Sequence, residues 1–288
     1  MKKAIIIGSG PAGISAALYL QRSGKIDVTV ISSGIGALAK AGKIENYYGF
    51  AEPLTGEQLY NQGIEGAKRL GVKFIEEEVV SLTFNSEFKP VAVTDKGEYQ
   101  GDALLIATGA ARKSVNLKGV KEFEGKGISY CAVCDAFFYR GKDVCVIGNG
   151  EYALHEAMVL ANTSGSVTIL TNGNEMTAAL PDNIKLNTKK IISVDGGTTV
   201  EGITFEDGEK LSASGVFIAL GVAGSGDFAR KVGAELENGR IKVNENMETN
   251  IPGLYSAGDC TGGTLQVYKA VYEGATAALA MIKYLKDN

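Results

Sequence analysis

The stretch Gly8-Ser9-Gly10-Pro11-Ala12-Gly13 follows an apolar run at residues 4–7 and precedes a helical pattern at residues 14–21. In a strand–turn–helix setting, such glycines allow a tight turn and let a pyrophosphate approach the helix N-terminus. A second strand is predicted at residues 27–31. Ser32 follows it, where an acidic residue commonly binds a ribose. The stretch therefore predicts the first half of a dinucleotide-binding unit, with one departure from the usual pattern.

A second glycine turn, at residues 148–153, has the same setting. It follows an apolar strand at residues 144–147 and precedes a helix at residues 153–160. A further strand at residues 167–170 completes a β-α-β unit. The two units predict an α/β protein with two Rossmann-like domains of the dinucleotide-binding type, related by architecture and not by close sequence repeat.

Cys131 and Cys134 lie in the sequence Cys-Ala-Val-Cys-Asp. A CxxC pair brings two sulfurs close enough to form and break a disulfide, and it commonly lowers the pKa of one thiol. The competing interpretation is a metal site, but Cys145, Cys260 and His155 have no ligand-like spacing. We therefore predict a redox-active disulfide and no metal.

Length and composition indicate a soluble enzyme. A chain of 288 residues has the length of about two domains. No apolar run reaches the roughly 20 residues of a membrane-spanning helix. The first three residues lead directly into a strand, so we expect no signal peptide. A net charge of −4 disfavours a nucleic-acid partner, and a CxxC pair among four cysteines fits a reducing compartment. We expect a cytoplasmic protein with no nucleic-acid or membrane partner.

Taken together, the order of the motifs resembles the low-molecular-weight thioredoxin reductase family of flavoproteins. The matching segments span most of the chain: Gly8 to Gly13, Glu45-Asn46, Ala107-Thr108-Gly109, Cys131 to Asp135, Gly148 to Ala153 and Ala257-Gly258-Asp259. This resemblance implies an FAD-binding domain that is discontinuous in sequence, residues 1–114 and 243–288. It implies a second domain, residues 115–242, that carries the CxxC pair and in most members binds NADPH. It also implies thioredoxin as partner and a homodimer.

The resemblance also implies roles for individual residues. Cys134 would face the flavin and exchange electrons with it, and Cys131 would attack the disulfide of thioredoxin. Asp135 would move the proton, although a helix N-cap or a solvated surface acid is the alternative. Asn46 would contact the flavin region, and Asp259 would bond the ribityl chain or the pyrophosphate side. The full set implied to bind FAD is Gly8, Ser9, Gly10, Pro11, Ala12, Gly13, Asn46, Ala107, Thr108, Gly109, Gly258, Asp259, Gln266 and Val267.

The chain departs from the family at the second glycine turn. NADPH-using members carry a His-Arg-Arg cluster and a further Arg after the strand that follows this turn. Here no Lys or Arg occurs between Lys142 and Lys185. A 2′-phosphate requires charge-assisted donors, and NADH normally requires an acid where Thr171 stands. We therefore predict absent or very poor binding of pyridine nucleotides.

If that route is closed, electrons must enter elsewhere. The chain is most similar to a subgroup of thioredoxin reductase-like flavoproteins that take electrons from ferredoxin. An acidic ferredoxin would need a basic approach surface, for which Lys40, Lys43, Arg112 and Lys113 are candidates, with scattered solvated charges as the alternative. Three other interpretations stay open: an NAD(P)H-dependent reductase with an altered pocket, a flavin dithiol oxidase that uses oxygen, and a non-catalytic flavin-binding redox sensor.

Overall fold

In the computed structural model, which describes residues 1–110 and 116–288, both predicted glycine turns connect a parallel strand to a helix. The chain divides into two units: unit 1 is Met1–Arg112 with Gly224–Asn288, and unit 2 is Lys113–Ala223. The predicted boundary at residues 114 and 115 lies outside the described residues.

The first segment of unit 1 begins with a buried strand and a helix that starts at Pro11. Proline suits that first helical position because its missing N–H would have no partner there. The elements of this segment are β1 Lys2–Ile7, α1 Pro11–Arg22, β2 Ile26–Ile31, β3 Lys43–Ile44, β4 Leu54–Thr55, α2 Gly56–Arg69, β5 Lys73–Ile75, β6 Val79–Phe84, β7 Pro90–Thr94, β8 Glu98–Gln100 and β9 Ala103–Ile106, with a 3₁₀ helix at Gly36–Lys40.

Unit 2 contains the second glycine turn and the cysteine pair. Its elements are β10 Ile128–Ser129, α3 Ala132–Asp135, a 3₁₀ helix at Ala136–Tyr139, β11 Asp143–Ile147, α4 Glu151–Ala161, β12 Ser166–Leu170, β13 Lys185–Asn187, β14 Ile191–Gly196, β15 Val200–Phe205, β16 Lys210–Ser212 and β17 Gly215–Ile218. A parallel sheet has the strand order β10-β17-β11-β12-β13, and β14, β15 and β16 form an antiparallel sheet.

The second segment of unit 1 completes its sheet and its core. Its elements are α5 Ser225–Val232, β18 Leu236–Glu237, β19 Arg240–Ile241, β20 Leu254–Ser256, a 3₁₀ helix at Gly258–Thr261 and α6 Val267–Asp287. The parallel sheet has the order β20-β9-β1-β2-β5. Helix α6 packs on α1, where Gly274 lies against the backbone of Ala12 and Ser15 Oγ donates to Val271 O at 2.7 Å. The predicted α/β fold with two Rossmann-type units is confirmed.

The second boundary between the units differs from the predicted one. Residues 224–242 were expected in the same domain as the cysteines, but the structure groups them with unit 1. Two long-range bonds explain this grouping: Lys231 Nζ donates to Val80 O at 2.9 Å, and Arg240 Nη1 donates to Asp259 O at 3.0 Å. Contacts this distant in sequence leave no local signal from which the boundary could be read.

Candidate active site and cofactor site

Three of the predicted FAD-binding segments lie at one edge of the unit 1 sheet. Strands β20, β9 and β1 are neighbours and parallel, so the segments that follow them begin side by side. Backbone bonds join them, with Ala107 N donating to Ile7 O at 2.8 Å and Ala257 N to Ile106 O at 3.1 Å. Ligands of parallel α/β sheets bind beyond the carboxyl ends of the strands, so this edge is where a dinucleotide is expected.

The first glycine turn fits a dinucleotide. Gly8 has φ +105°, and a Cβ at this position would collide with the carbonyl oxygen of Ala107, so only glycine is compatible with the turn. Gly10 is the N-cap of α1 and no side chain caps the helix, which leaves first-turn amides for an anion. Thr108 Oγ1 is buried without a hydrogen-bond partner in the described part of the chain. These groups match the donors and acceptors that a bound pyrophosphate and ribose require.

The loop that carries Asp259 is held by a buried ion pair that the sequence did not reveal. Glu273 on α6 is buried, and its Oε2 accepts from Gly258 N at 2.8 Å and from Lys269 Nζ at 3.0 Å. Lys269 Nζ also donates to Gly258 O at 2.9 Å. The pair therefore fixes the backbone beside Asp259. An acid on the alanine-rich buried face of the predicted C-terminal helix was the only available signal.

The remaining residues predicted to bind FAD line a single cavity in unit 1. Asn46, Gln266 and Val267 line it together, although about 220 positions separate Asn46 from Gln266. Leu265 and Tyr268 also contribute to the wall. The cavity gives Asn46, Gln266 and Val267 a common site, and their binding of FAD stays a prediction.

The cysteine pair of unit 2 forms a disulfide. Cys131 and Cys134 are bonded through sulfur, with a Cα–Cα distance of 5.3 Å. Cys131 is the N-cap of α3, and its Sγ accepts from Cys134 N at 3.2 Å. An N–H directed at sulfur stabilises a thiolate when the bond opens. Cys131 is only 2% exposed, whereas Cys134 is exposed, which is the reverse of what an attacking Cys131 requires. The roles of the two sulfurs stay predictions.

Asp135 caps no helix through its side chain. Its Oδ2 accepts from Ser129 Oγ at 2.7 Å, and Ser129 Oγ in turn accepts from Cys131 N at 3.1 Å. The carboxylate is thus linked through one hydroxyl to the backbone of the first cysteine. This arrangement keeps the acid beside the disulfide, where a proton donor is needed, and its role stays a prediction.

A second carboxylate contacts the cysteine segment from α4. Glu156 is 1% exposed, and its Oε2 accepts from Ala132 N at 2.6 Å. Its Oε1 lies 3.5 Å from Nδ1 of His155, a partly buried side chain. Glu156 could not be singled out from the sequence, because it stands among ordinary helix formers.

The two other thiols are buried and inert. Burial raises the pKa of the Cys145 thiol to about 12, with a smaller contribution from Asp143. Burial also raises the pKa of Cys260. Both therefore stay protonated near neutral pH, as expected for core cysteines. In the described part of the chain, no three His, Cys, Asp or Glu side chains converge on a metal site.

The second glycine turn is covered by its own chain. Thr177 donates to the Asn149 carbonyl through its backbone N at 2.8 Å and through Oγ1 at 2.9 Å. Asn149 Nδ2 donates to Glu175 O at 2.9 Å. The segment that carries phosphate-binding arginines in NADPH-using members is thus bonded to the turn itself. The stem of Lys190 lies against Gly173 beyond β12, a nearby cation that the sequence argument over residues 143–184 did not consider.

Exposed apolar side chains lie within and directly after the segment that carries the disulfide. Phe137 and Phe138 are 72% and 67% exposed, and we call them the aromatic patch; Val133 is 52% exposed. They lie on α3 and on the 3₁₀ helix that follows it. Apolar side chains exposed together commonly mark a surface that binds another protein.

The predicted basic surface is only partly described. Lys43 is exposed, whereas Arg112 and Lys113, as well as the side chain of Lys40, lie outside the described residues. None of the described helices has the length and apolar character needed to cross a membrane.

The chain is similar to known disulfide oxidoreductases over nearly its whole length. The model of the family described as pyridine nucleotide-disulphide oxidoreductase matches residues 2–274. A thioredoxin reductase of Aquifex aeolicus is 38% identical over 301 aligned residues, which cover 99% of this chain and 93% of the relative.

Two solved structures resemble the whole chain. The atypical thioredoxin reductase TRi from Desulfovibrio vulgaris Hildenborough has a TM-score of 0.94 at 38% identity, covering 100% of this chain and 99% of the other. A ferredoxin-flavin thioredoxin reductase from Clostridium acetobutylicum has a TM-score of 0.74 at 32% identity, with the same coverage.

Proposed function

The chain belongs to the pyridine nucleotide-disulphide oxidoreductase family, and from that membership we propose that it reduces the disulfide of a thioredoxin with electrons from a one-electron carrier such as ferredoxin. FAD is the cofactor, as predicted. When bound, it supplies a redox centre that can accept electrons singly and pass them on in pairs. That property is what a one-electron donor and a two-electron disulfide require.

The observation that carries the proposal is a CxxC disulfide beside an exposed aromatic patch. A small disulfide substrate needs no such surface, whereas a protein substrate can bury Phe137 and Phe138 on docking. We infer that the reduced pair donates its two electrons to that substrate. The thiolate of Cys131 attacks one substrate sulfur, and the other leaves with a proton. The Cys134 thiol then attacks the Cys131 sulfur of the mixed disulfide. This step re-forms the Cys131–Cys134 bond and releases the substrate as a dithiol. Asp135 is the proposed source of the proton.

Two observations support a donor other than NADPH. The second glycine turn is bonded through Asn149 to Glu175 and Thr177, the segment in which NADPH-using members carry their phosphate-binding arginines. The segment from residue 143 to residue 184 supplies no Lys or Arg for a 2′-phosphate. In addition, a ferredoxin-flavin thioredoxin reductase is among the proteins that the whole chain resembles.

An NAD(P)H-dependent reductase is the second candidate, because two observations favour it. The second glycine turn keeps the strand–turn–helix form, and no side chain caps the helix that follows it. Lys190 supplies a cation beside Gly173, although its Nζ already lies 3.9 Å from Glu206. If this candidate function is correct, Lys190→Ala should slow the reduction of the flavin by NADPH.

An anaerobic titration distinguishes these candidates. The purified FAD-loaded protein is mixed with NADPH, with NADH and then with reduced ferredoxin, while flavin absorbance is followed. We expect bleaching by ferredoxin only, and slower bleaching at high salt if docking is electrostatic. Fast bleaching by micromolar NADPH would overturn the proposal, and rapid oxygen uptake with a dithiol would instead indicate a dithiol oxidase. The proposed homodimer is checked separately by light scattering of the same sample.

A further inference from the structure

Glu156 is a buried acid that the proposed reaction does not use. It projects from α4 and is 1% exposed, yet its Oε2 accepts a 2.6 Å hydrogen bond from Ala132 N, the amide that directly follows Cys131. A carboxylate is seldom buried without a specific partner, because desolvation of its charge is costly. The contact therefore couples the position of an acid on one helix to the segment that carries the redox pair.

The distance to the sulfur is short enough for the charge to matter. Covalent geometry keeps the Ala132 nitrogen within about 4.5 Å of Cys131 Sγ. The carboxylate oxygen bonded to that nitrogen thus lies within roughly 7 Å of the sulfur. Little water can screen the pair, since Cys131 and Ala132 are buried as well. Nδ1 of His155, a side chain that solvent partly reaches, lies 3.5 Å from the other carboxylate oxygen.

The sign of the effect follows from charge. The disulfide is neutral, whereas the reduced pair carries a thiolate on Cys131 when it is ready to react. A nearby negative carboxylate destabilises that thiolate and so favours the disulfide. The reduced pair is then a stronger reductant, which suits a dithiol that must transfer electrons to another disulfide and requires a low-potential donor to reload it.

We propose that Glu156 is a positioning residue that fixes Ala132 and whose negative charge lowers the reduction potential of the Cys131–Cys134 pair. This rests on the proposed function only in that the pair must be redox-active. The hydrogen bond and the charge are separable, because glutamine keeps the acceptor oxygen and loses the charge. Aspartate keeps the charge and shortens the reach to Ala132.

The test measures the potential of the thiols, independently of turnover. Full-length FAD-loaded protein is equilibrated anaerobically in dithiothreitol redox buffers and quenched with a maleimide, and the labelled cysteines are counted by intact mass. For Glu156→Gln we expect an equilibrium constant for reduction about tenfold larger than that of wild type, a shift of about +30 mV for a two-electron couple. Glu156→Asp should stay within about twofold of wild type, because its charge remains. Glu206→Gln, the same change at an exposed surface site of unit 2, should not shift the potential.

The outcomes separate this inference from the proposed function. A wild-type potential in Glu156→Gln, or an equal shift in Glu156→Asp, would overturn the role of the charge while the pair still cycles. A wild-type pair that cannot be cycled between disulfide and dithiol would instead remove the proposed function. Thermal unfolding monitors the structural part: Glu156→Ala should lower Tm by leaving the Ala132 N–H unpaired, and Glu156→Gln should restore it.

Discussion

The two glycine turns of the chain have the same strand–turn–helix form and different surroundings. No side chain caps the helix after either turn, but in unit 1 the buried Thr108 hydroxyl beside the turn has no partner in the described residues. In unit 2, Asn149 and Thr177 bond the equivalent turn to a neighbouring segment of the same chain. Both turns need their glycines for backbone packing. A glycine motif therefore identifies a fold element, and the polar groups around it decide whether a ligand binds.

The difference assigns separate tasks to the units. Unit 1 has polar groups suited to a dinucleotide. Unit 2 has a disulfide and the exposed aromatic patch. A ligand-binding site can be lost from one unit without loss of its fold, because the buried strands β11, β12 and β17 still form its core. Changes confined to one unit should consequently alter one task and leave the other intact.

The largest expected effect comes from the cysteines. Cys131→Ser and Cys134→Ser should each lower the rate of thioredoxin reduction by at least about 10³-fold, because disulfide exchange requires both sulfurs. Flavin content should stay at the wild-type value, since neither residue belongs to unit 1. Both quantities are measured on the same preparation, by coupled thiol release and by absorbance.

The same variants assign the attacking sulfur. With a thioredoxin that lacks its second cysteine, Cys134→Ser should accumulate a mixed disulfide through Cys131, detectable as a mass adduct. Cys131→Ser serves as its control. An adduct in Cys131→Ser but not in Cys134→Ser would reverse the predicted roles. The control matters because Cys131 is the more buried of the two cysteines.

Most of the fold could be predicted from local patterns. The predicted strand at residues 144–147 and helix at residues 153–160 correspond to β11 and α4, which begin one and two residues earlier. Buried parallel strands and glycine turns leave strong local signals. The boundary near residue 224 was missed because α5 joins unit 1 through contacts such as Lys231 with Val80.

Prediction of the site was less complete, for a physical reason. The cysteines and the glycines could be recognised because their chemistry requires particular residue types at fixed spacings. Glu156 and Lys190 could not, since their contacts with Ala132 and Gly173 exist only after strands and helices pack. A count of cations along one segment therefore misses a lysine that folding brings to it.

A smaller effect is expected from the aromatic patch. Replacing Phe137 and Phe138 together with alanine should raise KM for thioredoxin about 10- to 100-fold, because exposed aromatic residues at an interface commonly contribute a few kcal/mol. The potential of the cysteine pair should not change. Phe88→Ala, which removes a still more exposed phenylalanine (85%) from unit 1, is the control. An unchanged KM in the double variant would show that the protein substrate docks elsewhere on unit 2.

The smallest effects test the two turns directly, through the glycines that cap the helices after them. Gly10 has extended backbone, and a Cβ there would meet nothing within 4 Å, so Gly10→Ala should unfold at the wild-type temperature. Its methyl group would nevertheless occupy the space through which a pyrophosphate approaches the helix, and we expect FAD affinity to fall about tenfold, or about 1.4 kcal/mol.

In the second turn, a Cβ at Gly150 would lie 3.6 Å from Thr177 Oγ1, an ordinary contact. Gly150→Ala should therefore change neither flavin content nor turnover with the one-electron donor. Fluorescence titration of the apoprotein with FAD and the turnover assay measure the two outcomes. Reduced turnover in Gly150→Ala would indicate that the second turn still binds a ligand, and wild-type FAD affinity in Gly10→Ala would remove the first turn from the pyrophosphate site.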